Sequence, residues 1–203
     1  IRERRFQHAK PDIHRIIFAA TEYAKDGLNP LIELDGPAPW ASRMRQLADG
    51  VIKHSPVDSD FGKLPSNSTE VNGELLQVLT RFYFLTGEVR YLEFAERIAD
   101  AYCMEVLPRG GWLPAHRWDF TKHKAIDDVL SLNDHGNEIV GGLAEIFSAV
   151  HGLGRESAAR YEIPLQRMFD TLLEKARNDD GLWYSRLRAS NAEPLNQTVP
   201  DTW

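Results

Sequence analysis

Cysteine is almost absent from this sequence. Cys103 is the only one in 203 residues, which excludes an intramolecular disulfide and a cysteine-rich metal site. It is expected to pack as a small hydrophobe inside a helix. No run of about 18 apolar residues is present to span a bilayer, and Ile1-Arg2-Glu3-Arg4-Arg5 has no apolar h-region behind it. An excess of positive charge is also missing: 24 Lys and Arg stand against 30 Asp and Glu, a net charge of −6, with the two signs mixed along the chain. Without a basic stripe, neither nucleic acid nor an anionic membrane surface is an expected partner. There is no Gly-rich phosphate loop, no Ser-centred elbow and no Cys-His pair, and neither a cofactor nor a metal is expected. The sequence does not begin with methionine. It reads as a processed product or a fragment, cytoplasmic or exported with a signal peptide already removed.

What the sequence does contain is 42% hydrophobic residues in helical periodicity, enough for a core in a single domain spanning residues 1–203. The apolar spacing predicts helices over residues 12–25, 39–53, 69–86, 89–106, 133–151 and 157–177. Asp26-Gly27 reads as a left-handed stop for the first helix, with 28–34 extended behind it. Pro108 reads as the end of the fourth. Gly110-Gly111-Trp112-Leu113-Pro114 and Asp180-Gly181-Leu182-Trp183-Tyr184 read as further extended segments, and a long polar loop runs through Trp118 and His123. Pro164 predicts a kink in the last helix or a true start near Ile163.

One stretch concentrates chemistry. Leu132-Asn133-Asp134-His135-Gly136-Asn137-Glu138 leads into a helix whose apolar face is Ile139, Leu143, Ile146, Phe147 and Val150. Ser131 or Asn133 can cap it, and Asp134 and Glu138 suit the positive end of its dipole. Three glycines in this helix, at about 1 kcal/mol each relative to alanine, require something to approach its backbone closely, either a neighbouring helix or a ligand.

The helix has a counterpart. A shift of 64 residues, from Glu74 to Glu138, also superposes Glu70 on Asp134, Leu79 on Leu143 and Tyr83 on Phe147. In the partner helices a shift of 70 places Arg90-Tyr91 on Arg160-Tyr161, Arg97 on Arg167 and Asp100 on Asp170. The unit is helix, tight turn, helix, glycine, extended piece and loop, and its period is too long for the common short solenoid repeats. With its hairpin turn Phe84-Leu85-Thr86-Gly87-Glu88-Val89-Arg90-Tyr91-Leu92 and its Gly-Gly-Trp-Leu and Gly-Leu-Trp ends, the chain resembles the six-hairpin α/α toroid superfamily of glycoside hydrolases and polysaccharide lyases. The resemblance implies an all-α fold of α-hairpin repeats, about half of a ring, with short extended segments after alternate helices. It implies the rest of the toroid as a partner, from another chain or from missing sequence. The second is the expectation, because residues 198–203 resemble a loop cut short.

The repeat's connectivity gathers Glu70, Glu74, Asp134, His135, Asn137 and Glu138 near one end of the bundle, with Trp112, His116, Arg117, Trp118, Trp183 and Tyr184 on the intervening segments. Carboxylates beside aromatic platforms suit carbohydrate: rings stack on sugar faces, and a carboxyl pair protonates a leaving oxygen and activates water or attacks directly. The resemblance places the substrate cleft at this end. Asp134 and Glu138 are the leading acid/base candidates, faced by Glu70 and Glu74, with carbohydrate as the partner. Each acid also has a plain explanation as a dipole partner at a helix start. The alternatives are a lyase, with His135 or Tyr184 abstracting a proton and Arg117 or Asn137 neutralising a uronate, a sugar epimerase, and a non-catalytic helical-repeat scaffold.

Overall fold

The computed structural model describes residues 12–195, without the side chains of Asp134 and His135. The first helix, α1 (Ile13–Glu22), is capped by the Asp12 carboxylate and passes through a wide π turn (Tyr23–Leu28) into α2 (Asn29–Asp35). The stop expected at Asp26-Gly27 does not occur, and 28–34 is helical rather than extended. Leu28 and Asn29 are both buried, and only a continuing helix keeps them there; the wide turn absorbs the change of register. Pro30 follows the wide turn directly, among the first residues of α2. The helix stops at Gly36, whose φ of 91° suits glycine.

Next come α3 (Trp40–His54) and α4 (Thr69–Thr86). Gly87 in the left-handed region ends α4 and turns the chain into α5 (Val89–Ala101). A second π turn (Tyr102–Val106) carries α5 into α6 (Leu107–Arg109), so Pro108 lies within the helical path instead of ending it. A 3-10 turn (Asp134–Asn137) precedes α7 (Glu138–Gly152), whose cap is Asn137 rather than Ser131 or Asn133. The last helix, α8 (Ser157–Lys175), is helical through Pro164, so no later start is needed.

The chain is mostly helical rather than purely so. The polar loop after α6 contains an antiparallel pair, β1 (Arg117–Asp119) with β2 (Lys124–Asp127). A second pair joins β3 (Val129–Ser131) to β4 (Arg186–Arg188). The strand near the C-terminal end thus lies beyond the segment 180–184 that the sequence marks as extended.

Both α1 and α7 pack on α4, and each of the three is backed by the following long helix: α3 on α1, α5 on α4, α8 on α7. Two glycines set the α4–α7 distance. A Cβ on Gly73 would come within 2.5 Å of the Glu138 carbonyl carbon and Ile139 Cα, and one on Gly142 within 2.5 Å of the Gly73 carbonyl oxygen. The close approach that Gly142 of α7 requires is therefore made by a helix.

The backing helices are held to one another by side chains. Tyr91 donates to Asp49 at 3.0 Å and Arg90 pairs with the same carboxylate at 3.0 Å. One hairpin later, Tyr161 and Arg160 do the same to Asp100, at 3.0 and 2.9 Å. Beside that clamp the buried Glu96 carboxylate accepts from Arg155 at 2.9 and 2.6 Å and from Ser157 at 2.5 Å. Removing it strands a half-buried guanidinium, so Glu96→Ala is expected to cost about 2 kcal/mol in chemical denaturation, against about 1 kcal/mol for Ser157→Ala.

Candidate functional site

The start of α4 is fixed by hydrogen bonds. The Thr69 hydroxyl donates to the Ala115 carbonyl and accepts from Tyr102 at 3.1 Å, while the Asn72 amide donates to the Ser66 carbonyl at 2.8 Å. This anchoring sets the next turn, with Glu70 and Glu74, against α1. There Glu74 is fully buried and its carboxyl faces that of Glu22. Single oxygens of Glu22, Glu70 and Glu74 lie within 4.8 Å of one another. Burial first, and then the neighbouring Glu22, pushes the Glu74 carboxyl up to about 9, with Lys25 opposing the rise. Desolvation and a like charge act in the same direction on a carboxylate, so at neutral pH the Glu74 carboxyl keeps its proton.

An ion pair lies beside this acid pair. Lys25, in the π turn after α1, reaches Glu138 at the start of α7 with an Nζ–Oε1 distance of 2.6 Å. The other Glu138 oxygen accepts from Gln77 of α4 at 2.7 Å. Burial works against the Lys25 ammonium, but the hydrogen bond and charge of Glu138 outweigh it and its pKa is raised. Lys25 also lies within electrostatic reach of Glu74. One line of polar groups therefore crosses α1, α4 and α7, with a proton-holding acid pair at one end and a partly exposed carboxylate, 18% accessible, at the other. Chemically the line offers a proton donor and a proton acceptor at the same pH. Glu22, Glu70 and Glu74 also supply the hard oxygen ligands a divalent cation takes. A second group that could hold an ion is Asp60, Glu105 and His123, where Trp118 already donates to Glu105 at 2.7 Å.

Of the residues singled out in the sequence, Glu70, Glu74 and Glu138 come together in this line. Asn137 occupies the N-cap position of α7 without a side-chain capping bond, and it shares a groove with Glu138 and Trp183, which is 42% exposed. Tyr184 is half-buried against the core. Asp134 and His135 belong to the 3-10 turn before α7, and their side chains lie outside the described residues. The remaining aromatic and basic residues sit elsewhere. Trp118 is 2% exposed, inside the core on Glu105. Trp112 is stacked under Arg167, 4.5 Å from ring centroid to guanidinium carbon. His116 ties β3 to the start of α4 through its backbone, donating to Val129 at 2.6 Å and accepting from Thr69 at 3.0 Å. Arg117 is exposed beside Ser66, Asn67 and Ser68, next to the start of α1. The sequence reading did not single out Glu22, Lys25 and Gln77. Their signal was available as an acid and a lysine one turn apart on the first helix, but that helix reads as ending just beyond them.

No family model matches the chain, and no curated protein matches it. Among solved structures it is similar to cellobiose 2-epimerase from Bacillus thermoamylovorans, with 10% sequence identity and a TM-score of 0.46; the match covers 88% of this chain and 65% of that one.

Proposed function

We propose that this chain is part of an α/α-toroid glycoside hydrolase that acts on an oligo- or polysaccharide by carboxylate acid/base chemistry. The observation that carries the reading is the polar line itself: the buried Glu74 carboxyl, clustered with those of Glu22 and Glu70 within 4.8 Å of one another, lies next to a carboxylate held by Lys25 and Gln77 at the start of α7. Glycoside hydrolysis needs one carboxyl to protonate the leaving oxygen and a second to activate water or attack the sugar. In this reading Glu138 is the acceptor or nucleophile. Glu22 and Glu70 are the acids within reach of substrate, and the closed-off Glu74 acts through Glu22 as its proton reserve. Trp183 is the sugar platform, beside Asn137.

The test is a glycan panel, read for new reducing ends and for ultraviolet-absorbing unsaturated ends. Hydrolysis gives the first signal alone. On the substrate found, Glu138→Gln is expected to lower kcat at least about a hundredfold, and Trp183→Ala to raise KM with a smaller change in kcat. Unsaturated ends would transfer the site to a lyase. A panel with neither product, or a Glu138→Gln protein with intact turnover, would remove the hydrolase assignment.

A further inference from the structure

We propose that Asp60, Glu105 and His123 hold a divalent transition-metal ion of the zinc class, which fastens three separate segments of the chain to one another. The site shares no residue with the Glu74–Glu138 line or with the Trp183 groove, so it stands or falls separately from any glycan activity.

The three side chains come from segments far apart in the sequence, and no ligand spacing shows there. Asp60 sits between α3 and α4 in a turn closed by the Ser59 hydroxyl, which donates to the Gly62 carbonyl at 2.6 Å and accepts from the Phe61 N–H at 3.2 Å. Glu105 belongs to the π turn between α5 and α6. His123 lies at the end of the β1–β2 turn. There the Asp119 carboxylate accepts from the N–H groups of Thr121 and Lys122 at 3.1 and 3.0 Å, and the chain enters β2 through His123 with a φ of 52°. Single ligand atoms of Asp60, Glu105 and His123 lie within 4.8 Å of one another.

Two features point to an ion between them and not to a plain ion pair. His123 Nδ1 stands 3.2 Å from Glu105 Oε1, yet it is closed off from solvent and makes no hydrogen bond to Glu105 or to any other described residue. An imidazole acting as the partner of this carboxylate would aim an N–H at it. Side by side, the nitrogen and the oxygen have the separation of two ligands on one centre: bonds of about 2.1 Å in a tetrahedral or octahedral shell put neighbouring ligand atoms about 3.0–3.4 Å apart. The second feature is Glu105 itself. Its side chain is 5% accessible, and among the described residues it pairs with no lysine or arginine. Buried carboxylates are paired or coordinate metals. The Trp118 indole N–H, at 2.7 Å on Oε1, fixes the carboxylate as hydrogen bonds to ligating carboxylates do. One imidazole nitrogen with two carboxylate oxygens suits Zn²⁺, which takes both donor types and can leave a fourth position to water. It suits Mg²⁺ poorly, because that ion takes oxygen and keeps much of its hydration.

The test strips the full chain of metal with a chelator and titrates it with Zn²⁺ in neutral buffer by calorimetry, with amide exchange followed over residues 117–127. The expected result is one tightly bound ion per chain, and exchange in the β1–β2 hairpin slowed at least about tenfold at saturation. Asp60→Asn and His123→Ala, at side chains that are exposed and half-buried, are each expected to weaken binding at least about tenfold. An unchanged thermal midpoint of the metal-free variants shows that the fold is kept. Glu105→Gln, which leaves Trp118 an acceptor, is expected to weaken binding equally. Asp58→Asn is the control: this acid of the same loop is paired with Lys63 at 2.6 Å, and its loss leaves the affinity unchanged. Mg²⁺ is expected to leave the hairpin exchanging at its metal-free rate. No Zn²⁺ binding, binding that does not slow the hairpin, affinity indifferent to His123→Ala, or a loss at Asp58→Asn as large as that at Asp60→Asn would overturn the proposal. Equal protection by Mg²⁺ would overturn it too, because it needs oxygen ligands alone.

Discussion

Gly73→Ala is expected to lower the thermal midpoint by about 10 °C, which corresponds to about 4 kcal/mol for a chain of this size. The added methyl would meet backbone, the Glu138 carbonyl carbon and Ile139 Cα at 2.5 Å, and not the movable tip of a side chain. Backbone of α7 can yield only if the helix moves. Moving it separates Gly142 from the Gly73 carbonyl and loosens Leu76 and Leu79 of α4 and Ile139 and Leu143 of α7, all buried. Overpacking of side chains costs about 1–3 kcal/mol, and a backbone clash at a crossing of two buried helices belongs above that range. Alanine's better helix propensity returns about 1 kcal/mol at most. Gly50→Ala in α3 is the control: its Cβ would meet nothing within 4 Å, so it keeps the propensity gain and raises the midpoint by about 2 °C. Thermal unfolding of the two variants side by side measures the difference, and equal midpoints would mean that α4 and α7 do not cross at these glycines.

That crossing was half-legible in the sequence. Glycines at 136, 141 and 142 announced a close approach, yet only Gly142 meets α4 closely. Gly136 lies against Ser131, and Gly141 has only the Gln77 amide near it, at 3.8 Å. Apolar spacing marks the long helices, α4 to the residue, because several turns of it outweigh any one local signal. Gly27 shows the opposite case. A glycine after an aspartate reads as a stop only if it turns left-handed. Here it stays in a π turn with the Tyr23 ring lying 3.2 Å from where its Cβ would be, because burying Leu28 outweighs the local preference. The strands are three or four residues long, too short for a period of two to register. Trp118 inside β1 therefore looks like loop in the sequence although it is core. The repeat exposed the acids Glu74 and Glu138 but not their difference. One faces α1 and is buried; the other is reached by Lys25 across α4, a contact set by tertiary placement alone.

Glu74 also makes stability depend on pH in an unusual direction. A carboxyl raised to about 9 in the folded chain holds its proton where the unfolded chain, with its carboxyl near 4.5, has released it. Between those values folding takes up a proton, so stability falls as pH rises from about 4.5 towards 9 and levels off beyond. Each pH unit within the window costs up to about 1.4 kcal/mol, less whatever Glu22 and Lys25 recover by sharing the proton and the charge. Glu74→Gln keeps the shape of the protonated acid and has nothing to titrate. It is expected to stabilise the chain at pH 8 by about 3 kcal/mol, to leave it nearly unchanged at pH 5, and to flatten the profile between. Urea unfolding at the two pH values gives the answer. Parallel profiles for both proteins would show that Glu74 is ionised when folded, with Lys25 as its partner. In that case the proton reserve assigned to Glu74 is absent, and the acid role passes to Glu70 or to the residues before α7.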